Sequence, residues 1–316
     1  MAGSRGDDIR VLAIGDAAYP AALRTIADPP PVLYVRGTVR PGDARAVAVV
    51  GTRRASAYGA QVARHLAGGL ARNGVTVVSG LARGIDAAAH DAALLAGGRT
   101  LAVLGCGVDV TYPPEHRALA ERVVASGALL AEVPPGTAPL RFQFPRRNRL
   151  ISGLCAGVVV VEGREDSGAL ITACAALEQG RDVFAVPGPI FDPRTAAPHG
   201  LLRDGAAPVT CVEDILEALG WPVVHLTTPV APPALDGEEG QVFAHLELTP
   251  QTPDAIAARS QLSAAAVARS LVALECRGLV MVLPGQRYVR RFAGGGMEEA
   301  RPRRWSSSSH RPRRAR

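Results

Sequence analysis

Short, continuous apolar runs recur between Ala46 and Gly220, and they constrain the fold more than any other feature of the sequence. A strand with one solvent-exposed face alternates apolar and polar residues, whereas these runs are apolar at nearly every position, with Thr76, Thr100 and Glu132 as the exceptions. Such runs are typical of a parallel sheet that helices cover on both faces. The runs lie at residues 47–50, 75–78, 100–104, 129–133, 158–161 and 183–186.

Helix-like stretches separate these runs, and glycines end several of them. Gly74, Gly97 and Gly180 each follow a helix-forming stretch, where glycine commonly takes the first non-helical position. The alternation predicts an α/β fold, namely an extended Rossmann-like, doubly wound sheet over residues 41–222. Residues 1–40 are expected to be an N-terminal extension that packs on this domain. The helices are predicted at 58–73, 85–96, 114–125, 148–156 and 169–179.

The composition changes after Trp221. Residues 223–237 form a Pro-rich stretch that predicts a linker. Residues 238–292 then show three short helical patterns followed by a β-hairpin, which is the order of elements in a winged helix. Residues 293–316 combine a glycine run, a serine run and many arginines, so we expect a disordered, Arg-rich tail.

The net charge of +6 comes from the last 16 residues of that tail, 301–316. All 35 basic residues of the 316-residue chain are arginines, and seven of them lie in residues 301–316. Residues 1–300 therefore carry 28 arginines against 29 acidic residues, a slightly acidic balance. Any anion-binding site in the body must consequently depend on local clustering of positive charge.

Cysteine and histidine spacing gives no metal-binding or disulfide pattern. The five cysteines are far apart, and the seven histidines are scattered without ligand spacing. No apolar run has the roughly 18 residues that a membrane span requires, and the first residues lack the apolar stretch of a signal peptide. We expect a cytoplasmic protein with no membrane contact and no metal.

The first candidate site is the turn after residues 47–50, which begins Gly51-Thr52-Arg53. A dinucleotide site would need glycine at the position of Arg53, because a side chain there obstructs a pyrophosphate. Backbone N–H groups and an arginine near a helix start can instead bind a phosphate group. The alternative is that Gly51 only turns the chain and Arg53 is solvated.

Two further turns combine a hydroxyl group with glycine at the end of a strand. Ser79-Gly80 precedes a predicted helix, and Asp86 is expected to interact with that helix's dipole. Ser167-Gly168 precedes the helix predicted at 169–179, where the pair either binds an anion or caps the helix. Because parallel strands end at one edge of a sheet, these turns are expected to contribute to one anion site.

The densest cluster of candidates surrounds Phe144. An aromatic ring beside guanidinium groups can stack on a nucleobase while the charges hold its phosphates. The alternative is that Phe144 is a core residue and that the arginines face water. The members of this cluster are Phe144, Arg146, Arg147, Asn148 and Arg149.

These segments together resemble the DNA-processing protein A (DprA/Smf) family, in order and over residues 9–292. The resemblance implies a protein without a catalytic site or cofactor, a homodimer that binds single-stranded DNA. It also implies that the protein protects incoming DNA and loads the RecA recombinase during natural transformation. The matching segments are 19–20, 31–37, 51–59, 79–86, 144–149, 167–172 and 186–188.

Two other functions compete with this interpretation. Rossmann enzymes of the LOG type hydrolyse nucleoside monophosphates, but Ala175 occupies the position where their catalytic glutamate is expected. Glu162, Glu165 and Asp166 lie near the same strand end and are the available substitutes. A transcription regulator would use the winged helix, in which Arg269 is the best-placed donor for reading bases.

Overall fold

The computed structural model describes residues 9–223, 235–247 and 249–290. The described chain forms two compact units: residues 9–223, and residues 235–247 with 251–290. The strands of the first unit are β1 (Ile9–Ala13), β2 (Val32–Gly37), β3 (Ala46–Val50), β4 (Thr76–Ser79), β5 (Thr100–Val103), β6 (Ala128–Ala131), β7 (Gly157–Val160), β8 (Asp182–Ala185) and β9 (Ala207–Pro208). Its helices are α1 (Ala21–Arg24), α2 (Ala57–Arg72), α3 (Ile85–Leu95), α4 (Arg117–Ser126), α5 (Gln143–Gly153), α6 (Gly168–Glu178), α7 (Ala196–Arg203) and α8 (Val212–Ala218).

The strands of the first unit form one sheet in the order β1-β2-β6-β5-β4-β3-β7-β8-β9. The strands from β6 to β9 in this order are parallel. β1 and β2 extend the β6 edge as an antiparallel hairpin. The predicted doubly wound α/β fold is confirmed. Residues 1–40 were expected to pack on this domain as an extension, whereas β1 and β2 of this segment are strands of the sheet itself.

Alternating residues of β3 explain why its apolar run is unbroken. Ala46, Ala48 and Val50 pack with α5 and α6 on one face of the sheet. Val47 and Val49 pack with α2 and α3 on the other face. Since successive side chains of a strand point to opposite faces, both sets must be apolar when helices cover both faces.

The start of α5 corrects the helix predicted at residues 148–156. The helix begins at Gln143, five residues earlier, and Pro145 lies in its first turn, where proline leaves no intrahelical hydrogen bond unmade. Residues 147, 150 and 151 therefore share one face of the helix, and that face is buried. The cluster around Phe144 thus lies on a helix and not in a loop.

The second unit contains three helices and a hairpin. α9 (Gly237–His245), α10 (Pro253–Ser260) and α11 (Ala264–Cys276) precede the antiparallel strands β10 (Val280–Leu283) and β11 (Arg287–Arg290). One core joins the helices to the hairpin, and its largest side chain is Phe243. The winged helix is confirmed. Most of the predicted linker and the Arg-rich tail at residues 293–316 lie outside the described residues, and the predicted domain limits stay predictions.

Within residues 9–223, 235–247 and 249–290, no helix is both long and apolar enough to cross a membrane.

Candidate nucleic-acid interface

The strand order reverses between β3 and β7. From β3 the chain builds the sheet toward β6 and then returns to the other side of β3 to place β7, β8 and β9. The two loops that leave the carboxyl ends of β3 and β7 therefore diverge to opposite faces, which opens a cleft between them. Ligands of doubly wound sheets bind at such switch points. Both the Gly51-Thr52-Arg53 turn and the Ser167-Gly168 turn border this cleft.

Arg53 and Phe144 form the exposed surface of the cleft. The guanidinium carbon of Arg53 lies 5.4 Å from the centre of the Phe144 ring, within the range of a cation–π contact. Tyr112 lies on the same ring, with the two centroids 5.5 Å apart. Phe144 packs over Gly105, where a Cβ atom would approach the ring to 2.9 Å. Glycine at position 105 therefore leaves room for the half-buried Phe144 ring close to the end of β5.

Glu162, which the sequence left as a potential catalytic carboxylate, anchors the first turn. Its carboxylate is buried and accepts hydrogen bonds from the Ser56 N–H at 2.9 Å and the Ser56 hydroxyl at 2.5 Å. Its carbonyl accepts a 2.7 Å hydrogen bond from the Thr52 N–H. The Thr52 hydroxyl in turn accepts from the Arg54 N–H. The Thr52 N–H is thus used within the turn and its hydroxyl oxygen accepts there, while the exposed Arg53 side chain is available to contact a ligand.

At the turn of Ser79 and Gly80, the Ser79 hydroxyl and the Gly80 N–H are both engaged within the protein, and anion binding by these two residues stays a prediction. Ser79 is fully buried, and its hydroxyl donates a 2.7 Å hydrogen bond to the Val49 carbonyl. The Gly80 N–H donates to the carboxylate of Asp86 at 3.1 Å. Asp86 therefore occupies the place that a phosphate oxygen would take, a tertiary contact that the local sequence does not reveal.

The side chain of Arg147 is buried behind the cleft and only 6% exposed. Its guanidinium donates hydrogen bonds to the carbonyls of Gly80 and Val103, at the ends of β4 and β5. Burial lowers the pKa of Arg147 to about 10 and raises the pKa of Asp86, while the attraction between the two charges opposes both shifts. Arg147 consequently positions α5 against the sheet, and a DNA contact by this residue stays a prediction.

The other two arginines of the cluster share one acidic partner. Arg149 is largely buried between Glu132, at 2.6 Å, and Asp28, at 3.0 Å. Arg146 is 64% exposed and also reaches Glu132 at 2.6 Å. Arg149 is therefore paired with acidic side chains, whereas most of the Arg146 side chain is exposed, and DNA contacts by both residues stay predictions.

Asn148 and the Ser167-Gly168 turn connect α5 to α6. The Asn148 side-chain amide donates a 3.1 Å hydrogen bond to the Gly168 carbonyl. The Ser167 hydroxyl caps α6 by accepting from the Ala169 N–H at 3.3 Å. Gly168 is exposed at the first turn of α6. Of the two roles considered for this turn, the structure therefore contains the cap, and anion binding by Gly168 stays a prediction.

Three exposed arginines at the same edge did not stand out in the sequence. Arg54, Arg141 and Arg164 follow β3, β6 and β7, respectively. Within the described residues, neither these three nor Arg53 forms an ion pair with an acidic side chain. Their position in the sequence could have identified them, because each lies in a loop that leaves the carboxyl end of a parallel strand.

Nucleotide hydrolysis is not favoured at this cleft. Ala175 lies on the third turn of α6, and the Glu162 carboxylate is held by Ser56. Glu165 and Asp166 are exposed on the loop before α6. Over the part of the chain that the structure describes, no cluster of three or more His, Cys, Asp or Glu side chains is placed to hold a metal ion.

Fold and site together define a doubly wound α/β protein with a cationic, aromatic cleft at its switch point, followed by a winged helix. A family model described as DNA recombination-mediator protein A matches residues 10–220, and one described as DprA winged helix domain matches residues 227–286. The chain belongs to the DNA recombination-mediator protein A family, which confirms the resemblance to DprA/Smf proteins.

Relatives and solved structures give the same assignment. DNA processing protein DprA of Bacillus subtilis is 45% identical over 230 residues, which are 72% of this chain and 77% of that protein. The structure of DprA from Streptococcus pneumoniae matches 67% of this chain and 75% of its own, at 43% identity and a TM-score of 0.63. DprA from Helicobacter pylori, whose structure was described for its single-stranded DNA binding mode, matches 67% and 95% at 28% identity and a TM-score of 0.61.

Proposed function

We propose that this protein binds single-stranded DNA in the switch-point cleft. The observation that carries the proposal is the cation–π pair of Arg53 and Phe144, in which an arginine without an acidic partner among the described residues lies beside a partly exposed aromatic ring. The ring offers a stacking surface to a nucleobase, and the cations along the same edge offer contacts to the phosphates. The single-stranded DNA binding described for the Helicobacter pylori relative supports the assignment.

A single strand fits this surface better than a duplex does. Gly105 and Tyr112 hold the Phe144 ring in place, so stacking on this ring requires a base whose face is already exposed. A duplex keeps its base faces inside the helix and presents phosphates alone. Duplex binding therefore lacks the stacking contribution and is expected to be weaker.

Fluorescence anisotropy with labelled single- and double-stranded DNA tests this function. Phe144→Ala and Arg53→Ala should each weaken single-strand binding by about 1–3 kcal/mol, or roughly 5- to 150-fold. Arg72→Ala is the matched control, because this exposed arginine ends α2 at the opposite edge of the sheet. Loss of affinity equal to that of Arg72→Ala in both cleft variants would place the site elsewhere.

We also propose that the protein acts as a homodimer that protects incoming single strands and delivers them to the RecA recombinase during natural transformation. Membership of a family described as recombination mediators supports this role. Exposed Ile171 and Leu177 on α6 supply apolar surface for self-association. The expected result is faster RecA filament assembly on DNA coated with single-strand-binding protein. Arg53→Ala should lose this acceleration. Sedimentation should give twice the mass of one chain, as expected of a homodimer.

A further inference from the structure

The loop that follows β8 presents two large apolar side chains to solvent. Ile190 is 77% exposed and Phe191 is 93% exposed, the highest exposure of any large hydrophobic residue in the described chain. β8 is parallel to β3 and β7, so this loop leaves the same edge of the sheet as the cleft loops. Ile190 and Phe191 are adjacent in the chain and together expose apolar surface beside the cleft loops, and exposed apolar patches often mark binding sites.

Hydrogen bonds hold the loop in place. The Tyr58 hydroxyl, from the first turn of α2, donates to the Pro187 carbonyl at 2.8 Å. The Thr195 hydroxyl donates to the Pro189 carbonyl at 2.8 Å, and His199 Nε2 lies 3.0 Å from the Gly188 carbonyl. Because α2 begins just after the turn that carries Arg53, Tyr58 joins the Phe191 loop to the cleft directly.

The charges around Phe191 are balanced. Arg194 neutralises Asp192 through contacts of 2.8–3.2 Å, and its hydrogen bonds lower the pKa of Asp192. The Arg194 carbonyl accepts a 2.6 Å hydrogen bond from Gly163, next to the unpaired Arg164. Glu165 and Asp166 are exposed on that neighbouring loop and oppose the charge of Arg164. A contact at Phe191 must therefore depend on stacking more than on charge.

We infer that Phe191 is a second base-stacking platform, which extends the single-strand site from the switch point to the β8 end of the sheet. The inference rests on the proposed function. Phe144 covers the end of β5, and four strand spacings of roughly 4.8 Å separate β5 from β8, or about 19 Å. Stacked nucleotides rise about 3.4 Å each, so a strand that reaches both rings needs about six nucleotides when stacked and fewer when extended.

The test is a series of labelled oligothymidylates from about 3 to about 20 nucleotides, each titrated against the full-length protein. Phe191→Ala should bind the shortest strands like the wild type and the longest ones roughly fivefold more weakly, with an unchanged dependence on salt. Phe144→Ala should weaken binding at every length. Phe191→Trp should retain wild-type affinity, and its additional tryptophan fluorescence should be quenched by long strands only. Leu95→Ala is the control, since Leu95 is 73% exposed at the opposite end of α3.

Two results would overturn the inference without touching the proposed function. One is a Phe191→Ala titration that matches Leu95→Ala at every length while Phe144→Ala remains defective. The other is a change in sedimentation of Phe191→Ala without DNA, which would make the loop a contact between copies of the chain. If Phe144→Ala also bound normally at every length, the proposed function would fail first.

Discussion

The cleft edge of the first unit and the helices of the winged helix use arginine in opposite ways. At the cleft edge, Arg53, Arg54, Arg141 and Arg164 are exposed and have no acidic partner among the described residues. In the second unit, each arginine of α10 and α11, or just after α11, is paired with an acidic side chain of its own unit. The pairs are Arg259 with Glu247, Arg269 with Glu238 at 3.2 Å, and Arg277 with Glu239 at 2.9 Å.

This difference separates two surfaces that composition does not distinguish. A cation paired with a carboxylate must lose that partner before it contacts phosphate, so the two surfaces differ in available charge more than in arginine content. Arg269, which the sequence offers as a base-reading donor, is one of the paired residues. The transcription-regulator interpretation is therefore not favoured, and the cleft edge is the better candidate for DNA contact.

The largest expected effect is on stability and concerns the buried arginine behind the cleft. Arg147→Met should destabilise the first unit by about 3–5 kcal/mol, because Asp86 then stays buried without its countercharge. Urea denaturation followed by circular dichroism should show an earlier transition for the first unit and an unchanged one for the second. Asp86→Asn in the same chain should restore part of the loss. If it restores nothing, packing and not charge explains the role of Arg147.

Since the cleft-edge arginines are unpaired among the described residues and the winged-helix arginines are paired, replacing each set should change the salt dependence of DNA binding differently. Combined replacement of Arg54, Arg141 and Arg164 by alanine should weaken single-strand binding at least tenfold at low salt. The slope of log affinity against log salt should fall by up to about 2, since each lost phosphate contact contributes about 0.7. Combined replacement of Arg259, Arg269 and Arg277 should leave the slope unchanged. An equal change of slope in both triple variants would show that the winged helix contacts DNA as well.

Acid should destabilise the first unit through His90. Burial lowers the pKa of His90 to about 3, and its Nε2 atom has no hydrogen-bond partner among the described residues. Neutral His90 therefore stabilises the fold above pH 6.5, its unfolded pKa, and this contribution is lost as pH falls toward 3, by up to about 1.4 kcal/mol per pH unit. Asp86, whose pKa is raised, acts in the opposite direction.

Comparison with His90→Gln isolates the histidine contribution. Between pH 7 and pH 5 the wild type should lose roughly 2 kcal/mol more unfolding free energy than His90→Gln does. Equal losses in both proteins would mean that His90 is already protonated, or solvated, in the folded state.

The sequence predicted the sheet better than the surroundings of each candidate residue. The apolar runs indicated strands that are buried on both faces of a sheet, and the carboxyl ends of parallel strands lie at one edge of that sheet. Nothing local distinguished Arg146 from Arg147. Their roles depend on where α5 begins, and Phe142 at its N-cap provides no side-chain cap that would have marked the start. The neutralisation of Arg149 likewise required Asp28, which is 121 residues away in the chain.

The smallest expected effect belongs to Arg146, and it tests whether pairing really limits availability. Arg146→Ala should weaken single-strand binding by less than about 1 kcal/mol, below the effect of Arg53→Ala, because Glu132 already satisfies part of its charge. Glu132→Gln should make Arg146 more available and strengthen binding slightly at low salt, with the gain shrinking as salt rises. The double variant Glu132→Gln with Arg146→Ala should lose that gain. If Arg146→Ala instead weakened single-strand binding as much as Arg53→Ala does, the ion pair with Glu132 would have to break when DNA binds. Pairing with a carboxylate would then be no reason to expect the winged-helix arginines to make no contact with DNA.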